Sequence, residues 1–368
     1  MCLTALPVAH GQAAAGFEPP RTSWGAPDLQ GNWTNASITR MTRPAGVDAL
    51  VLTPEQAKAL EDGDFNNART QAELKPTDQT VGAPAKAASL PGLGNYNAVW
   101  VDAGSKVAVV NGELRSSWIV DPPSGRIPYK GDRGAARPAP KPVKAASAKP
   151  SARPAGKSSG QDKNAFVDAV APPPARIPTA EAAAKMYEGP ESRSLGERCL
   201  IGFGGTGGPV MNNVLYNNTY QIVQSPGYAL ILVEMVHDAR IIPITHDRKR
   251  PDAIKPWLGD SIGWYDGDTL VVETRNVNPE QKGYISENGT LTERFTRVGA
   301  DEILYEFTVE DPSQYTQVWR GQMPMRTASG AVYEYACHEG NYGLVHILQG
   351  AREMEKRGEA LELTADSE

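Results

Sequence analysis

The residues best able to move protons lie near position 237 of this 368-residue sequence. Residues 233–240 read V-E-M-V-H-D-A-R, which sets Glu234 and His237 among apolar neighbours. A carboxyl group in an apolar setting has a raised pKa and can serve as a general acid or base. The structural alternatives are a salt bridge that involves Asp238 and Arg240 at the strand end, and a hydrogen-bonded core histidine at position 237.

A second polar cluster occupies residues 337–342, which read C-H-E-G-N-Y. It follows a predicted strand, and loops at the ends of barrel strands commonly carry binding sites. A disulfide between Cys199 and Cys337 would bring the segment that precedes Cys199 next to this cluster. Such a bridge would help to bring the predicted catalytic residues together at one mouth of a barrel. These residues are Arg198, Glu234, His237, His338 and Glu339. The structural alternative is a corner that the disulfide simply holds together.

The sequence has three cysteines, and its first residues favour pairing of two of them. Residues 1–15 read MCLTALPVAHGQAAA, the apolar, alanine-rich end of a secretory signal without its basic start. Export predicts a periplasmic or secreted protein in which Cys199 and Cys337 remain and pair. Their bridge would close a loop of about 138 residues and contribute ~4 kcal/mol. The alternatives are free buried thiols, a catalytic cysteine, and a disordered N-terminus in place of the signal.

Charge and hydropathy argue against two broad classes of partner. The net charge is −6, so a general affinity for nucleic acid is not expected. Apart from the N-terminus, the sequence has no apolar run of about 18 residues that would span a membrane as a helix. The predicted partner is therefore a small organic molecule.

Sequence motifs argue against several cofactors. His237, His246, His338 and His346 show neither His-x-His nor H-E-x-x-H spacing. No metal is predicted on that ground, although a site built from three scattered ligands stays open. Residues 202–209 are rich in glycine but lack the Lys-Ser/Thr of a phosphate loop. No G-x-S-x-G elbow of an α/β-hydrolase is present, and no cofactor is predicted.

The elements that must position these residues are predicted to be short antiparallel strands. The 36 glycines and 30 prolines favour many turns over long helices. Asp266-Gly267 between two β-rich runs predicts a hairpin. The strands predicted in the second half are 213–224, 228–240, 263–265, 268–274, 290–298, 302–310, 315–323 and 332–337. With no helix between them, they predict a mainly β fold: an antiparallel, closed or nearly closed barrel with a few short helices.

The strand predicted over residues 228–240 decides which groups can meet. Its first half is apolar on both faces, which favours a barrel over a sandwich. Alternation would put Glu234 and His237 on opposite faces unless a bulge at Val236 or Asp238 realigned them. Without a bulge, only one of the two residues can face a pocket, and His237 is the preferred one.

The chain is predicted to form one domain that an insert interrupts. Residues 16–128 form a lead-in with the first strands, and residues 176–368 form the main part of the barrel. Residues 129–175 are rich in alanine, proline, lysine, serine and glycine. Such a segment cannot bury enough surface to offset the entropy lost on ordering. A tolerated surface loop is the favoured interpretation, and a functional basic arm is the alternative.

Three short helices are predicted around these strands. Thr53 as N-cap with Pro54 and Gln56 behind it begins the first, which should end near residue 63. Thr179 caps the second, directly after the insert. Residues 351–361 form the third, close to the C-terminus.

Several motifs are distinctive as a set: D-L-Q-G-N-W at residues 28–33, G-E-R-C at 196–199, the run at 233–240, W-Y-D-G-D-T-L-V-V-E at 264–273 and Y-A-C-H-E-G-N-Y at 335–342. Outside the insert, the chain resembles a large family of uncharacterised exported bacterial proteins. The resemblance implies a secreted, β-rich fold and assigns no activity or catalytic residue. The last two-fifths also resembles a lipocalin-type barrel, by analogy of fold alone.

Together these features predict an exported enzyme with a pocket at the mouth of the barrel. A histidine–carboxylate pair would act as base and acid, and an arginine would hold developing negative charge, as in a lyase, isomerase or hydrolase. The aromatic residues predicted to line the pocket are Trp264, Tyr265, Trp319, Tyr335 and Tyr342. The alternative is a non-catalytic periplasmic ligand-binding protein, which a sealed or wholly apolar barrel interior would favour.

Overall fold

The computed structural model describes residues 17–64, 67, 103–131, 185–202, 208, 210–281 and 283–358. Within them the chain is built mainly from strands joined by short turns. The strands are β1 (Gly31–Thr34), β2 (Val109–Val110), β3 (Glu113–Leu114), β4 (Ile119–Asp121), β5 (Thr219–Ser225), β6 (Tyr228–Val233), β7 (Ala239–Pro243), β8 (Asp260–Asp266), β9 (Thr269–Arg275), β10 (Thr290–Gly299), β11 (Glu302–Glu310) and β12 (Trp319–Thr327). The helices are α1 (Pro54–Gly63), α2 (Cys337–Gly340) and α3 (Tyr342–Arg357), with 3-10 turns at Pro190–Ser192 and Met235–His237.

Nine of the described strands form one antiparallel sheet that curls into a nearly closed barrel. Their order is β7-β6-β5-β1-β12-β11-β10-β9-β8, and β4 also pairs with β12. The sheet ends meet where Ile244 and Gly263 form a parallel bridge, with the N–H of Thr245 donating to Gly263 O at 2.7 Å. The predicted mainly β, antiparallel, nearly closed barrel is thus confirmed. Because β1 lies between β5 and β12, the strands do not follow chain order, and the lipocalin analogy is not confirmed.

Two-residue turns set the register of successive hairpins. Gly267 and Asp268 connect β8 to β9 directly after Asp266, the last residue of β8. Gly267 has a φ of 60°, in the left-handed region that glycine adopts without steric cost. Pro226 and Gly227 connect β5 to β6 in the same way. The hairpin predicted from the Asp-Gly pair is therefore confirmed.

Side chains from alternate strand positions fill the inside of the barrel. On β10, Leu291, Glu293 and Phe295 are buried, whereas Thr292 and Arg294 between them are partly exposed. The largest fully buried side chains are Trp33, Trp118, Trp319, Tyr220, Tyr305, Phe295 and Phe307. Burial of each large apolar ring contributes about 2 to 3 kcal/mol, so these aromatic residues are a substantial source of stability beside the aliphatic side chains of the core.

The prediction of one strand over residues 228–240 is wrong, because the chain reverses in the middle of it. β6 ends at Val233, a five-residue loop follows, and β7 returns antiparallel beside β6. The N–H of Val233 donates to Asp238 O at 2.8 Å and closes this loop. Arg240 consequently lies opposite Ile231 and faces the core, which alternation along a single strand does not predict.

The C-terminal region also differs from the prediction. Residues 331–336, most of the predicted strand 332–337, are irregular and lead into α2. The last helix begins at Tyr342 rather than at residue 351. The side chain of Asn341 accepts the N–H of Leu344 at 3.3 Å and caps α3 there.

The lead-in belongs to the barrel sheet, since β1 and β4 both pair with β12. The helix α1 begins as predicted, with the N–H of Gln56 donating to the Thr53 hydroxyl at 3.3 Å. At the start of the predicted insert, Tyr129 packs on Tyr315 with 5.3 Å between ring centroids. The first residues assigned to the insert therefore contact the barrel.

Other predictions concern residues that the structure does not describe. They are the signal remnant at 1–15, the insert beyond residue 131 and the helix predicted to start at Thr179. None of the helices in the described ranges is long and apolar enough to cross a membrane.

Candidate functional site

A disulfide joins two distant segments at one end of the barrel. Cys199 and Cys337 are bonded, with 5.7 Å between their Cα atoms, and the predicted bridge is thus confirmed. Asn341 adds a second tie, because its Nδ2 donates to Glu197 O at 2.7 Å and lies 3.5 Å from Cys199 Sγ. We call the three segments that meet here, residues 198–202, 234–238 and 335–341, the disulfide corner.

The loop between β6 and β7 supplies the most unusual backbone of this corner. Val236 has a φ of 60° and His237 a φ of 47°, so two successive residues with side chains are left-handed. A β-branched residue such as Val236 is strongly disfavoured there. Conformations of this kind cost about 1 to 3 kcal/mol each and persist only where the surrounding structure enforces them.

Left-handed residues other than asparagine and glycine occur mainly in the disulfide corner, within the described part of the chain. Seven non-glycine residues in the described part of the chain have positive φ, and three of them are asparagines, which tolerate it. The other four are Cys199, Val210, Val236 and His237. Three of them, Cys199, Val236 and His237, lie in the disulfide corner, where the N–H of Gly202 donates to the Asp238 carboxylate. Backbone strain of this kind clusters at functional sites, which makes the disulfide corner the leading candidate.

One ring nitrogen of His237 contacts a backbone carbonyl oxygen, and the other ring nitrogen does not take part in that contact. Its Nδ1 lies 3.2 Å from Tyr335 O, and the residue is exposed. A backbone carbonyl oxygen can only accept a hydrogen bond, so Nδ1 must carry the proton of this contact. In the neutral ring, Nε2 is then the basic nitrogen, and its lone pair is free to take a proton.

Asp238, the neighbour of His237, is a part-buried carboxyl group. Its Oδ2 makes no hydrogen bond to any described group. Burial raises the pKa of Asp238 to about 6, against the lowering effects of the Gly202 N–H and of the charge on His237. A carboxyl group with this pKa can hold a proton in mildly acidic solution and release it near neutral pH.

Two tyrosines stand beside the histidine contact. Tyr335, whose carbonyl oxygen holds His237, is part-buried and hydrogen-bonded through its phenol to Tyr216. Burial raises the pKa of Tyr335 to about 12, and the hydrogen bond to Tyr216 adds to the rise. A hydrogen bond that raises a phenol pKa is one that the protonated phenol donates. Both rings pack against the main core and fix the position of the Tyr335 carbonyl.

The structure distributes the predicted catalytic residues unevenly. His338 and Glu339 lie on α2 within the disulfide corner, and both are exposed. Glu234 is buried instead, and its Oε2 accepts the N–H of Thr219 at 3.1 Å. Its carboxylate thus satisfies the backbone at the start of β5 and contributes to structure.

The predicted aromatic lining is only partly brought together. Tyr335 and Tyr342 belong to or adjoin the disulfide corner. Trp319 is fully buried in the core, where it packs edge-on against Phe307. Gly263 bridges to Ile244, just after the last residue of β7, and Trp264 and Tyr265 follow Gly263 in the same direction. They therefore lie near the end of β7 that is away from the 234–238 loop.

Sequence reasoning missed a buried ion pair inside the barrel. Arg240 and Glu293 are hydrogen-bonded through both carboxylate oxygens, with 2.9 Å from Nη1 to Oε1. The Tyr305 hydroxyl also donates to Glu293 Oε1 at 2.8 Å, and Arg240 reaches Thr274 Oγ1 at 3.2 Å. The side chains of the pair are 1% and 0% exposed. The signal for Glu293 was its position between inward-facing Leu291 and Phe295, but nothing in the sequence named its partner.

Comparisons with known proteins identify no relative of this chain. No family model matches it, and neither a curated protein nor a solved structure is significantly similar. Within the described ranges, no group of three His, Cys, Asp or Glu side chains is arranged to hold a metal ion. The case for function therefore rests on the disulfide corner itself.

Loss of the disulfide is expected to destabilise the protein and disorder the His237 contact. In Cys199→Ser/Cys337→Ser, the unfolded chain gains the freedom of a 138-residue loop, which lowers the free energy of unfolding by ~4 kcal/mol. Urea denaturation of wild type and variant, both in the absence of reductant, measures the loss. Equal midpoints would contradict the expectation, and dithiothreitol on the variant is the control, since it should change nothing.

Proposed function

We propose that this protein is an enzyme that transfers protons on a small organic molecule at the disulfide corner. The observation that supports this most is the contact between His237 Nδ1 and Tyr335 O at 3.2 Å. It leaves Nε2 as the basic nitrogen of an exposed ring held in one orientation, which is the arrangement that a general base requires.

Three groups divide the work in this proposal. His237 Nε2 takes a proton from the substrate, and Asp238, with a pKa of about 6, supplies or receives the second proton. Arg198, next to the disulfide, stabilises the negative charge that develops on the substrate. Such chemistry suits a lyase, an isomerase or a hydrolase and needs no cofactor.

Turnover of a defined panel of compounds tests the proposal. The folded protein would be incubated in D₂O with small esters, lactones and hydroxy acids, and ¹H NMR would follow product formation and exchange of C–H protons. General acid–base catalysis contributes about 10² to 10⁴ in rate, so His237→Gln should lose at least about 100-fold.

The matched control for this experiment is His246→Gln. His246 is also exposed, but it packs on Trp264 at 5.0 Å between ring centroids, away from the 234–238 loop. Its replacement should leave turnover unchanged. A His237→Gln protein as active as wild type would refute the role of His237 as base.

Ligand binding without turnover is the second candidate function, and the packed barrel favours it. Trp33, Trp319 and Phe307 are buried inside, and the ion pair at Arg240 is sealed from solvent. A ligand would then occupy the corner outside the barrel. In the same NMR experiment, substrate signals would shift on binding while no product formed.

We further propose that the protein works in the periplasm or is secreted. The disulfide supports this, because structural disulfides persist in oxidising compartments and are rare in the cytosol. Cell fractionation with an antibody to the folded protein is the direct measurement, and a purely cytosolic pool would contradict it.

A further inference from the structure

One arginine at the disulfide corner, Arg198, has no side-chain partner among the described residues. Arg198 is part-buried, and its guanidinium makes no ion pair or hydrogen bond with other residues of the described chain. By contrast, Arg193 just before it pairs with Glu197. The only other described arginine whose side chain lacks a partner is Arg126, which is exposed. The guanidinium nitrogens of Arg198 are not among the buried atoms that lack a hydrogen bond, so they are open to solvent and an anionic ligand can reach them.

Two ties hold the backbone of Arg198 beside the candidate base. The next residue, Cys199, is bonded to Cys337, two positions beyond the Tyr335 carbonyl that holds His237. Three residues after Cys199, the N–H of Gly202 donates to Asp238. Arg198 therefore begins a short segment that is tied at Cys199 and at Gly202 to the neighbours of His237, and its guanidinium has no partner among the described residues.

We propose that Arg198 binds a carboxylate group of the substrate, so that the protein acts on carboxylic acids. This rests on the proposed function and names its substrate class. The planar guanidinium forms two parallel hydrogen bonds with a carboxylate, and its charge is fixed at all physiological pH values. Neutralising the carboxylate also makes the C–H beside it more acidic, which is the proton that His237 Nε2 would take.

A carboxylate fits this corner better than a phosphate does. Arg198 is the one arginine or lysine of the three segments that form the corner, whereas Asp238 and Glu339 bring negative charge to it. Like charges at close range repel a dianion more strongly than a monoanion. Phosphate sites usually combine several charged or backbone donors.

Binding of benzoate, with benzamide as its neutral match, tests the proposal. In wild type, benzoate should shift the ¹H–¹⁵N signals of the His237 ring in a saturable way, whereas benzamide should not. Arg198→Gln should weaken benzoate binding about tenfold or more, since it removes a charge-assisted pair of hydrogen bonds. Arg126→Gln removes the exposed unpaired arginine and should bind benzoate as wild type does.

Calorimetry on His237→Gln separates this inference from the proposed function. That variant keeps Arg198, so it should bind benzoate with nearly wild-type affinity even if the protein proves to have no catalytic activity. Arg198→Lys keeps the positive charge but loses the paired donors of the guanidinium, so it should bind benzoate with intermediate affinity. It replaces Arg198→Gln as the test variant if Arg198→Gln folds poorly. The inference is overturned if Arg198→Gln binds benzoate as wild type does, if inorganic phosphate binds more tightly than benzoate, or if wild type fails to bind benzoate at millimolar concentration.

Discussion

The variant Glu293→Gln should lower the free energy of unfolding by about 3 to 5 kcal/mol, the largest loss expected from any single substitution discussed for this protein. Its side chain is 0% exposed and is bonded to Arg240 and Tyr305. The amide keeps the shape and part of the hydrogen bonding, but it leaves the buried guanidinium of Arg240 without an opposite charge. Urea denaturation at neutral pH measures the loss.

A double replacement should recover much of that loss. In Arg240→Met/Glu293→Leu neither charge of this pair remains, and well-packed apolar residues often match or exceed a buried ion pair in stability. The Tyr305 hydroxyl retains its contact with the N–H of Met211, at 3.2 Å. We therefore expect the double variant to be more stable than Glu293→Gln or Arg240→Met alone, by about 2 kcal/mol.

The neighbouring residue on the same strand provides the matched control. Arg294 points away from the core and pairs with Asp266 at 3.0 Å, with side chains 25% and 62% exposed. Exposed pairs contribute about 0 to 1 kcal/mol, so Arg294→Gln should be nearly neutral. If Glu293→Gln lowered the free energy of unfolding as little as Arg294→Gln does, the buried ion pair would not contribute substantially to the stability of the barrel.

The barrel could be predicted because its strands obey local rules. The pair Asp266-Gly267 sits where a two-residue turn is required, and alternation on β10 matches one buried face. The alternation of buried and exposed residues along a strand does not predict which residue pairs with a buried charge. Glu293 and Arg240 are 53 residues apart, and only closure of the sheet brings them together.

The loop at 234–238 could not be predicted, because its residues favour a different conformation. The run M-V-H is apolar or aromatic and contains no turn-forming residue, so the sequence favours a continuous strand. In the fold, Val236 and His237 are left-handed, and contacts from distant segments hold the loop: the N–H of Gly202 on Asp238 and Tyr335 O on His237 Nδ1. The disulfide could be predicted from the cysteine count together with the expected export, and it brings together two of the three segments of the disulfide corner.

Asp238→Asn should make the protein more stable at pH 7 to 8, by about 1 to 2 kcal/mol. In the folded protein the pKa of Asp238 is about 6, above its ordinary value of 3.8. The unfolded chain releases this proton near pH 4, whereas the folded protein keeps it until pH 6. Between these values the folded state binds more protons, so the free energy of unfolding falls as pH rises, and it stays reduced above pH 6. Partial solvent exposure of Asp238 keeps the effect below the full value of such a shift.

The pH dependence isolates this cause. Asn keeps the oxygen that accepts the Gly202 N–H and has no charge to bury, so the variant should lack the fall in stability between pH 4 and 6. Below pH 4 wild type and variant should be equally stable, because both are then neutral at this position. Thermal melts from pH 3.5 to 8 measure the difference, and a constant offset at every pH would contradict a charge effect.

Asp311 provides a control of opposite sign, and the contrast bears on function. Hydrogen bonds from Ser313, Gln314 and the Ser286 N–H lower the pKa of Asp311 to about 2, against the raising effect of burial. The stabilisation by the Asp311 carboxylate is present above pH 4 and is lost as pH falls towards 2, so Asp311→Asn should destabilise the protein at pH 7.

A carboxylate that serves only the structure behaves like Asp311. One kept for proton transfer is tolerated at a cost to stability, so Asp238→Asn should gain stability and lose turnover together. An Asp238→Asn protein that gained stability with turnover intact would remove Asp238 from the proposed mechanism and leave His237 to act alone.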